Sequence, residues 1–341
     1  MFPLKLGFSG LNHLPYFMLA AIFLFSVVLK LLVIDVGAPY ITIDDNTMFE
    51  GGFLVWFGNP PPQRMYLESW ISAFVSLITY AGSSMAAGNF DFLGINIVAD
   101  AYKDFYTNPD NYVVVYRFII LAIDLLTVWI VFLLARLVLK DRLWGWGSAL
   151  AACLYLLSYN TVWCNVVARP DPFVAFFGIL GIYLYCKSNR GAKEHSFWLS
   201  GVSAGLAGGM KLHGAFFAIF IVFDLVRVMG VRAAVARSWI FIILSIISFA
   251  IAAGTPLFDP LLYLKLRILN AMDDASPWIQ WGEQLLVILK GSGFIIVPLA
   301  LAGGVFYYLK GRKQENDGLI SSILFISLCW LILFVLIRQL R

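Results

Sequence analysis

Charge is scarce in this 341-residue chain: 13% of residues are Asp, Glu, Lys or Arg, against roughly 25% in a soluble domain. Cysteine is sparse too. The four present, Cys153, Cys164, Cys186 and Cys329, lie in or at the ends of apolar runs. Their spacing fits neither a zinc site nor a disulfide framework, so they read as packing residues. A Walker loop, a Rossmann glycine pattern and a metalloprotease helix are all missing, as is any repeat of roughly 20–50 residues. A nucleotide-sugar donor held by a nucleotide fold is therefore not expected. The pI near 8.8 reflects basic loops and gives no reason to expect nucleic acid as a partner.

Apolar sequence is what the chain has in abundance. It is 61% hydrophobic, with mean hydropathy +0.85, and several runs approach or exceed the ~20 residues needed to cross ~30 Å of hydrocarbon. The first, 15–34, follows Lys5 and has no small-residue cleavage site behind it, so it reads as a retained anchor. Basic clusters recur between runs: Lys140 with Arg142, then Lys187 to Lys193, then Arg227, Arg232 and Arg237, then Lys310 to Lys313. Placing them all inside demands an even number of crossings between neighbours. Crossings at 15–34, 112–138, 145–165, 171–187, 196–211, 213–228, 237–257, 285–309 and 319–338 satisfy this.

The expected fold is thus an all-α integral membrane protein, a polytopic bundle of about nine transmembrane helices forming a single domain over 1–341. Residues 35–111 form a large first extracytoplasmic loop and 112–338 the rest of the bundle. The expected location is the plasma (inner) membrane. Within the loop, Thr42 or Asp44 can cap a short helix running to Trp56, which Gly58-Asn59-Pro60 stops. A second helix over 67–87 is expected to lie in or partly enter the membrane interface.

The stretch 196–228, as one straight helix, would run about 48 Å. A break at Met210-Lys211-Leu212-His213-Gly214 shortens it and returns Arg227, Arg232 and Arg237 to the inside. Gly208, Gly209 and Gly214 are expected to permit that break. Gly201, Gly205, Gly208 and Gly209 also have the small-residue spacing of close helix packing.

Polar residues then collect at the outer ends of these helices. Asp44 and Asp45 follow the first crossing; they are either a helix cap with a solvated neighbour or the source of a general base for an attacking hydroxyl. Only one of two adjacent residues can point at the substrate. Arg169 and Asp171, in Val167-Ala168-Arg169-Pro170-Asp171-Pro172, either lock the turn between two helices or bind a phosphate through the guanidinium, with Asp171 orienting it or facing the sugar. Lys211 either snorkels to the headgroups or meets a lipid phosphate. His213 reads as a packing residue or a further phosphate contact. Arg117 and Asp124 are seven residues apart on one helix stripe and should face the bundle interior. Asp124 reads as a structural partner, Arg117 as a phosphate contact near the outer end.

The order of these features resembles the glycosyltransferase C superfold, in particular the branch with protein O-mannosyltransferases and the lipid A aminoarabinose transferase. The likeness runs over roughly 10–260. It rests on the acidic pair, the aromatic-rich short helix, Tyr116-Arg117-Phe118, the Arg-Pro-Asp turn, and Gly205-Leu206-Ala207-Gly208-Gly209-Met210-Lys211-Leu212-His213-Gly214. The branch shows Asp-Glu where this chain has Asp44-Asp45, so the resemblance assigns the base to Asp44. Its small-Lys-Tyr motif matches Lys211, while Leu212 and His213 depart from the usual aromatic.

The resemblance implies an enzyme that moves sugar from a polyprenyl-phosphate carrier to an acceptor hydroxyl on the extracytoplasmic face, with inversion. Its partners would be the lipid-linked donor, a glycan, lipid or protein acceptor, membrane lipids and, in one reading, a protein subunit. The alternative is a non-catalytic lipid-binding or scaffold subunit, or a transporter, of the same architecture. The sequence establishes no cofactor. A divalent cation stays open, since one Asp pair does not make a coordination set.

Overall fold

The structure, a computed structural model, describes residues 14–32, 49, 52–54, 56–57, 66–88, 96–139, 146–156, 171–253 and 320–327. Every regular element among them is helical. In chain order these are α1 (Leu14–Leu31), α2 (Tyr66–Ala86), α3 (Ile97–Thr107), α4 (Pro109–Leu139) and α5 (Trp146–Leu156). Then come α6 (Asp171–Lys187), α7 (Glu194–Met210), a 3-10 turn (Leu212–Ala215), α8 (Phe216–Met229) and α9 (Val231–Ala253). A last helix, α10, covers 320–327. Two of these, α4 and α9, are long and apolar enough to cross a membrane by length and composition. The expected crossings at 285–309 and most of 319–338 lie outside the described residues.

The long helix 196–228 is broken where expected. Lys211 sits between α7 and the 3-10 turn in an extended conformation, φ −157° and ψ 134°. Its carbonyl accepts from the Gly214 N–H at 2.7 Å. The glycines act differently from expectation, however. The described glycines with positive φ are Gly88, Gly191 and Gly230, so Gly208, Gly209 and Gly214 are not needed for backbone freedom. They permit close approach instead: a methyl at Gly208 would lie 2.8 Å from the Phe249 ring, one at Gly209 would collide with Ala252, and one at Gly214 with the Ala207 carbonyl.

That approach continues down α7. A methyl at Gly201 would lie 2.6 Å from the Phe241 carbonyl oxygen, and one at Gly205 would overlap Ser245 and Ser248. With lipid on the outside offering no hydrophobic gain, such small-residue seams are how membrane helices pack. Gly205→Leu is therefore expected to cost about 1–3 kcal/mol through overpacking and to lower the melting temperature of detergent-solubilised protein. Gly82→Ala on α2, where a methyl meets nothing within 4 Å, should be neutral or slightly stabilising. Equal losses in the two variants would refute the seam.

One helix boundary differs markedly from the sequence expectation. Helix α9 starts at Val231, six residues before the expected 237, because Gly230 with φ 80° reverses the chain in one residue. Arg232 is consequently on a helix rather than in a loop. Helix α2 also packs on α4, α7 and α9, burying Ser69, Ser72, Ser76 and Thr79 while Phe74 and Ile78 face outward. Hydroxyls in and large apolar groups out is the pattern of a helix whose outer face meets hydrocarbon, as a helix entering the membrane would.

Among the described residues, the basic segments 187–193 and 227–237 meet at one end of the bundle. Arg237 Nε donates to the Gly191 carbonyl in the α6–α7 turn at 2.8 Å. Nearby, Asp224 is fully buried; it accepts from the Tyr185 hydroxyl at 2.7 Å and from Arg227 Nε at 2.9 Å. Arg227 in turn reaches Ser321 of α10 at 3.0 Å. The cysteines described, Cys153 and Cys186, are partly buried and buried, and both are free thiols.

Candidate functional site

Helix α6 begins at Asp171 and α7 ends at Met210, so the start of one and the finish of the other meet at the end of the bundle opposite the basic turn. There Lys211 Nζ donates to Asp171 Oδ1 at 2.9 Å, with each side chain about one-third exposed (34% and 33%). An ammonium held beside a carboxylate at a broken helix, still open to solvent, is available to an incoming anion. His213, two residues on, lies partly buried in the 3-10 turn.

One hydrophobic cluster gathers the neighbours of the other candidates. It contains Phe49, Tyr116, Phe173 and Met210. Phe49 lies four residues past Asp45, Tyr116 immediately precedes Arg117, Phe173 is two residues past Asp171, and Met210 adjoins Lys211. Phe49 is completely buried, edge-on to Tyr116 at 5.8 Å and to Tyr112 at 6.1 Å between centroids. Asp44, Asp45 and Arg169 themselves lie outside the described residues.

Arg117 and Asp124 both face inward as the helix stripe requires, at 0% and 2% exposure. Asp124 is ion-paired with Lys30 of α1, itself 4% exposed. Arg117 is enclosed by the bundle, so direct contact with a phosphate would require the surrounding helices to part. The Lys30–Asp124 pair was missed from sequence. The available signal was a lysine inside an apolar run, which demands a buried partner. Asp224 gave the same signal in the run 213–228. Among the described residues no group of three or more His, Cys, Asp or Glu is placed to hold a metal ion.

No curated protein and no solved structure matched the chain. A family model described as dolichyl-phosphate-mannose-protein mannosyltransferase matches residues 80–273, a segment that includes Arg117, Arg169, Asp171, Lys211 and His213 and stops short of Asp44 and Asp45. That family consists of membrane-embedded glycosyltransferases using a polyprenyl-phosphate-sugar donor. With more than half its length matched, and with a broken helix, the inward-facing Arg117 and Asp124 and a partly exposed lysine–aspartate pair within that match, this chain belongs to the dolichyl-phosphate-mannose-protein mannosyltransferase family, part of the GT-C glycosyltransferase superfamily.

Proposed function

We propose that the chain transfers a sugar from a polyprenyl-phosphate carrier to an acceptor hydroxyl at the extracytoplasmic face of the plasma membrane, in a single inverting displacement. The observation that carries this reading is the Lys211–Asp171 pair at 2.9 Å, at the bundle end away from Arg237 and the basic turn. By the distribution of basic residues that end faces outward.

In the proposed step the acceptor oxygen forms a bond to the anomeric carbon as the bond from that carbon to the phosphate oxygen breaks. The hydroxyl proton passes to the Asp44 carboxylate, and the electron pair leaves with the polyprenyl phosphate. The leaving phosphate needs no proton at neutral pH, so cations at its oxygens do more than an acid would. Lys211 and Arg169 supply them, and His213 lies next to this path. Arg117, buried within the bundle, acts through its field rather than by contact. Asp171 orients Lys211, and Asp45 is the sequence neighbour of Asp44. A divalent cation at the acidic pair would be detected as loss of transfer on chelation and its return with the metal.

The test is transfer of label from radiolabelled polyprenyl-phosphate sugars into acceptors of a membrane extract, by purified protein in vesicles. Absence of transfer with every sugar would turn the assignment towards a non-catalytic subunit. Lys211→Met should lower kcat/KM by about 10- to 100-fold, the worth of a hydrogen bond to a charged group. Asp171→Asn should cost less, and the double variant should be no worse than Lys211→Met alone, because the carboxylate acts through the lysine. Additive losses would separate the two residues and remove Asp171 from this role.

A further inference from the structure

The turn between α6 and α7, residues 188–193, gathers cations at the end of the bundle away from Lys211. Arg190 and Lys193 belong to the turn, and Arg237 of α9 grips it from the side. The Arg237 guanidinium donates from Nε to the Gly191 carbonyl at 2.8 Å and from Nη2 to the Ala192 carbonyl at 3.4 Å. Those two carbonyls stand between Arg190 and Lys193 in the chain, so three positive residues share one short turn. The turn is fixed in shape. Asn189 and Arg190 take positive φ, 51° and 58°, a left-handed conformation uncommon outside glycine. Ser188 holds it there: its hydroxyl accepts from the Gly191 N–H and its carbonyl from the Lys193 N–H, each at 2.8 Å.

Among the described residues, no carboxylate answers these cations. The ion pairs seen there belong to Lys30, Lys211 and Arg227. Asp224 is taken up by Tyr185 and Arg227, and Glu194, beside Lys193, is exposed. Arg190 Nε is buried without a hydrogen-bond partner, a costly state for a donor on a charged group. The position of the cluster selects what kind of anion would meet it. Arg237 is the last charge on α9, since 238–253 holds none. Beyond it the helix turns Trp239, Ile243 and Ile246 outward at 57%, 46% and 58% exposure. Such a stripe faces hydrocarbon, and a tryptophan at its start marks the headgroup level. A phosphate at Arg237 would lie at the depth of lipid phosphates, with its acyl chains running beside that stripe.

We propose that the α6–α7 turn and Arg237 form a binding site for the phosphate of an anionic phospholipid in the adjacent leaflet, the inner one by the distribution of basic residues. The inference is independent of the sugar-transfer reading at the other end of the bundle and needs only that the chain be embedded in a membrane. Guanidinium groups suit phosphate oxygens. The bound phosphate offsets the mutual repulsion of Arg190, Lys193 and Arg237, and it ties the turn to α9.

The test titrates the purified chain in neutral detergent with fluorescent phosphatidylglycerol and, separately, with phosphatidylcholine carrying the same acyl chains and label. Phosphatidylglycerol should bind saturably and about tenfold tighter or more, as several cations near one anionic headgroup imply. Arg237→Gln and Lys193→Gln should each weaken it about fivefold, the worth of one cation at an anionic surface. Arg232→Gln removes the same charge five residues earlier on α9, outside the site, and should have a clearly smaller effect. Equal loss in Arg232→Gln would reduce the attraction to a diffuse surface potential and overturn the site, as would equal binding of the two lipids. Should Arg237→Gln fail to fold, because Arg237 also fastens the turn, the exposed Lys193 carries the same comparison. Inorganic phosphate and glycerol 3-phosphate separate the two sources of phosphate. Failure of both to displace the lipid supports the proposal; displacement by either at concentrations equal to the lipid's would assign the site to a soluble phosphate and overturn it.

Discussion

Asp44→Asn is expected to lower sugar transfer by about 10²- to 10⁴-fold, the usual contribution of a positioned general base, while the protein stays folded in the membrane. The argument is chemical. An alcohol attacking an anomeric carbon becomes strongly acidic as the bond forms, and asparagine can still hydrogen-bond the hydroxyl without accepting its proton. Donor binding should therefore survive. The prediction has a built-in comparison, since Asp45→Asn removes the same charge at the adjacent residue, which is not the proposed base. It should cost much less. The measurement is label transfer in reconstituted vesicles at saturating donor, with donor affinity read separately by competition. Full activity in Asp44→Asn would eliminate the proposed mechanism, and equal losses in the two variants would point to a shared electrostatic or metal-binding role for the turn.

The second large effect is on stability. Lys30 of α1 and Asp124 of α4 form an ion pair with side-chain exposures of 5% and 2%. Removing one partner takes away the other's buried counter-ion, and breaking such a pair costs about 3–5 kcal/mol. Lys30→Met and Asp124→Leu should each sharply reduce the yield of monodisperse protein and its melting temperature in detergent. The double variant, apolar on both helices, should recover most of that loss, because the desolvation penalty disappears along with the attraction. At the other end of the same helix pair, Arg136 Nη1 donates to the Tyr16 hydroxyl at 2.6 Å, so α1 would remain tethered in all three proteins. A double variant as unstable as the singles would mean that the pair is a net attraction holding α1 in place.

Much of this architecture was legible without coordinates. The break at 211 followed from length and charge parity, and the structure puts Lys211 outside both flanking helices. The inward stripe of Arg117 and Asp124 followed from a seven-residue spacing, and both are buried. The glycine seam of α7 followed from small residues recurring at i, i+4 and i+8. These features are local: each depends on helical periodicity or on the thickness of a bilayer, which the order of residues states directly.

Partnership was not legible. Lys30 and Asp124 are 94 residues apart in sequence, and Lys211 and Asp171 are 40 apart. Periodicity reports which way a side chain faces, never what stands opposite, so Asp171 was read against its neighbour Arg169 while the structure joins it to Lys211. The early start of α9 escaped notice because it turns on one φ angle at Gly230. By itself, then, the sequence determined a membrane-embedded helical transferase, where its helices break and which residues turn inward. The tertiary structure decided which charges meet, that a lysine and an aspartate from separate segments share one partly exposed corner, and that an apolar groove opens between α8 and α9. The physical reason is that helix-to-helix distance is set by packing summed over the whole bundle, which no single segment encodes.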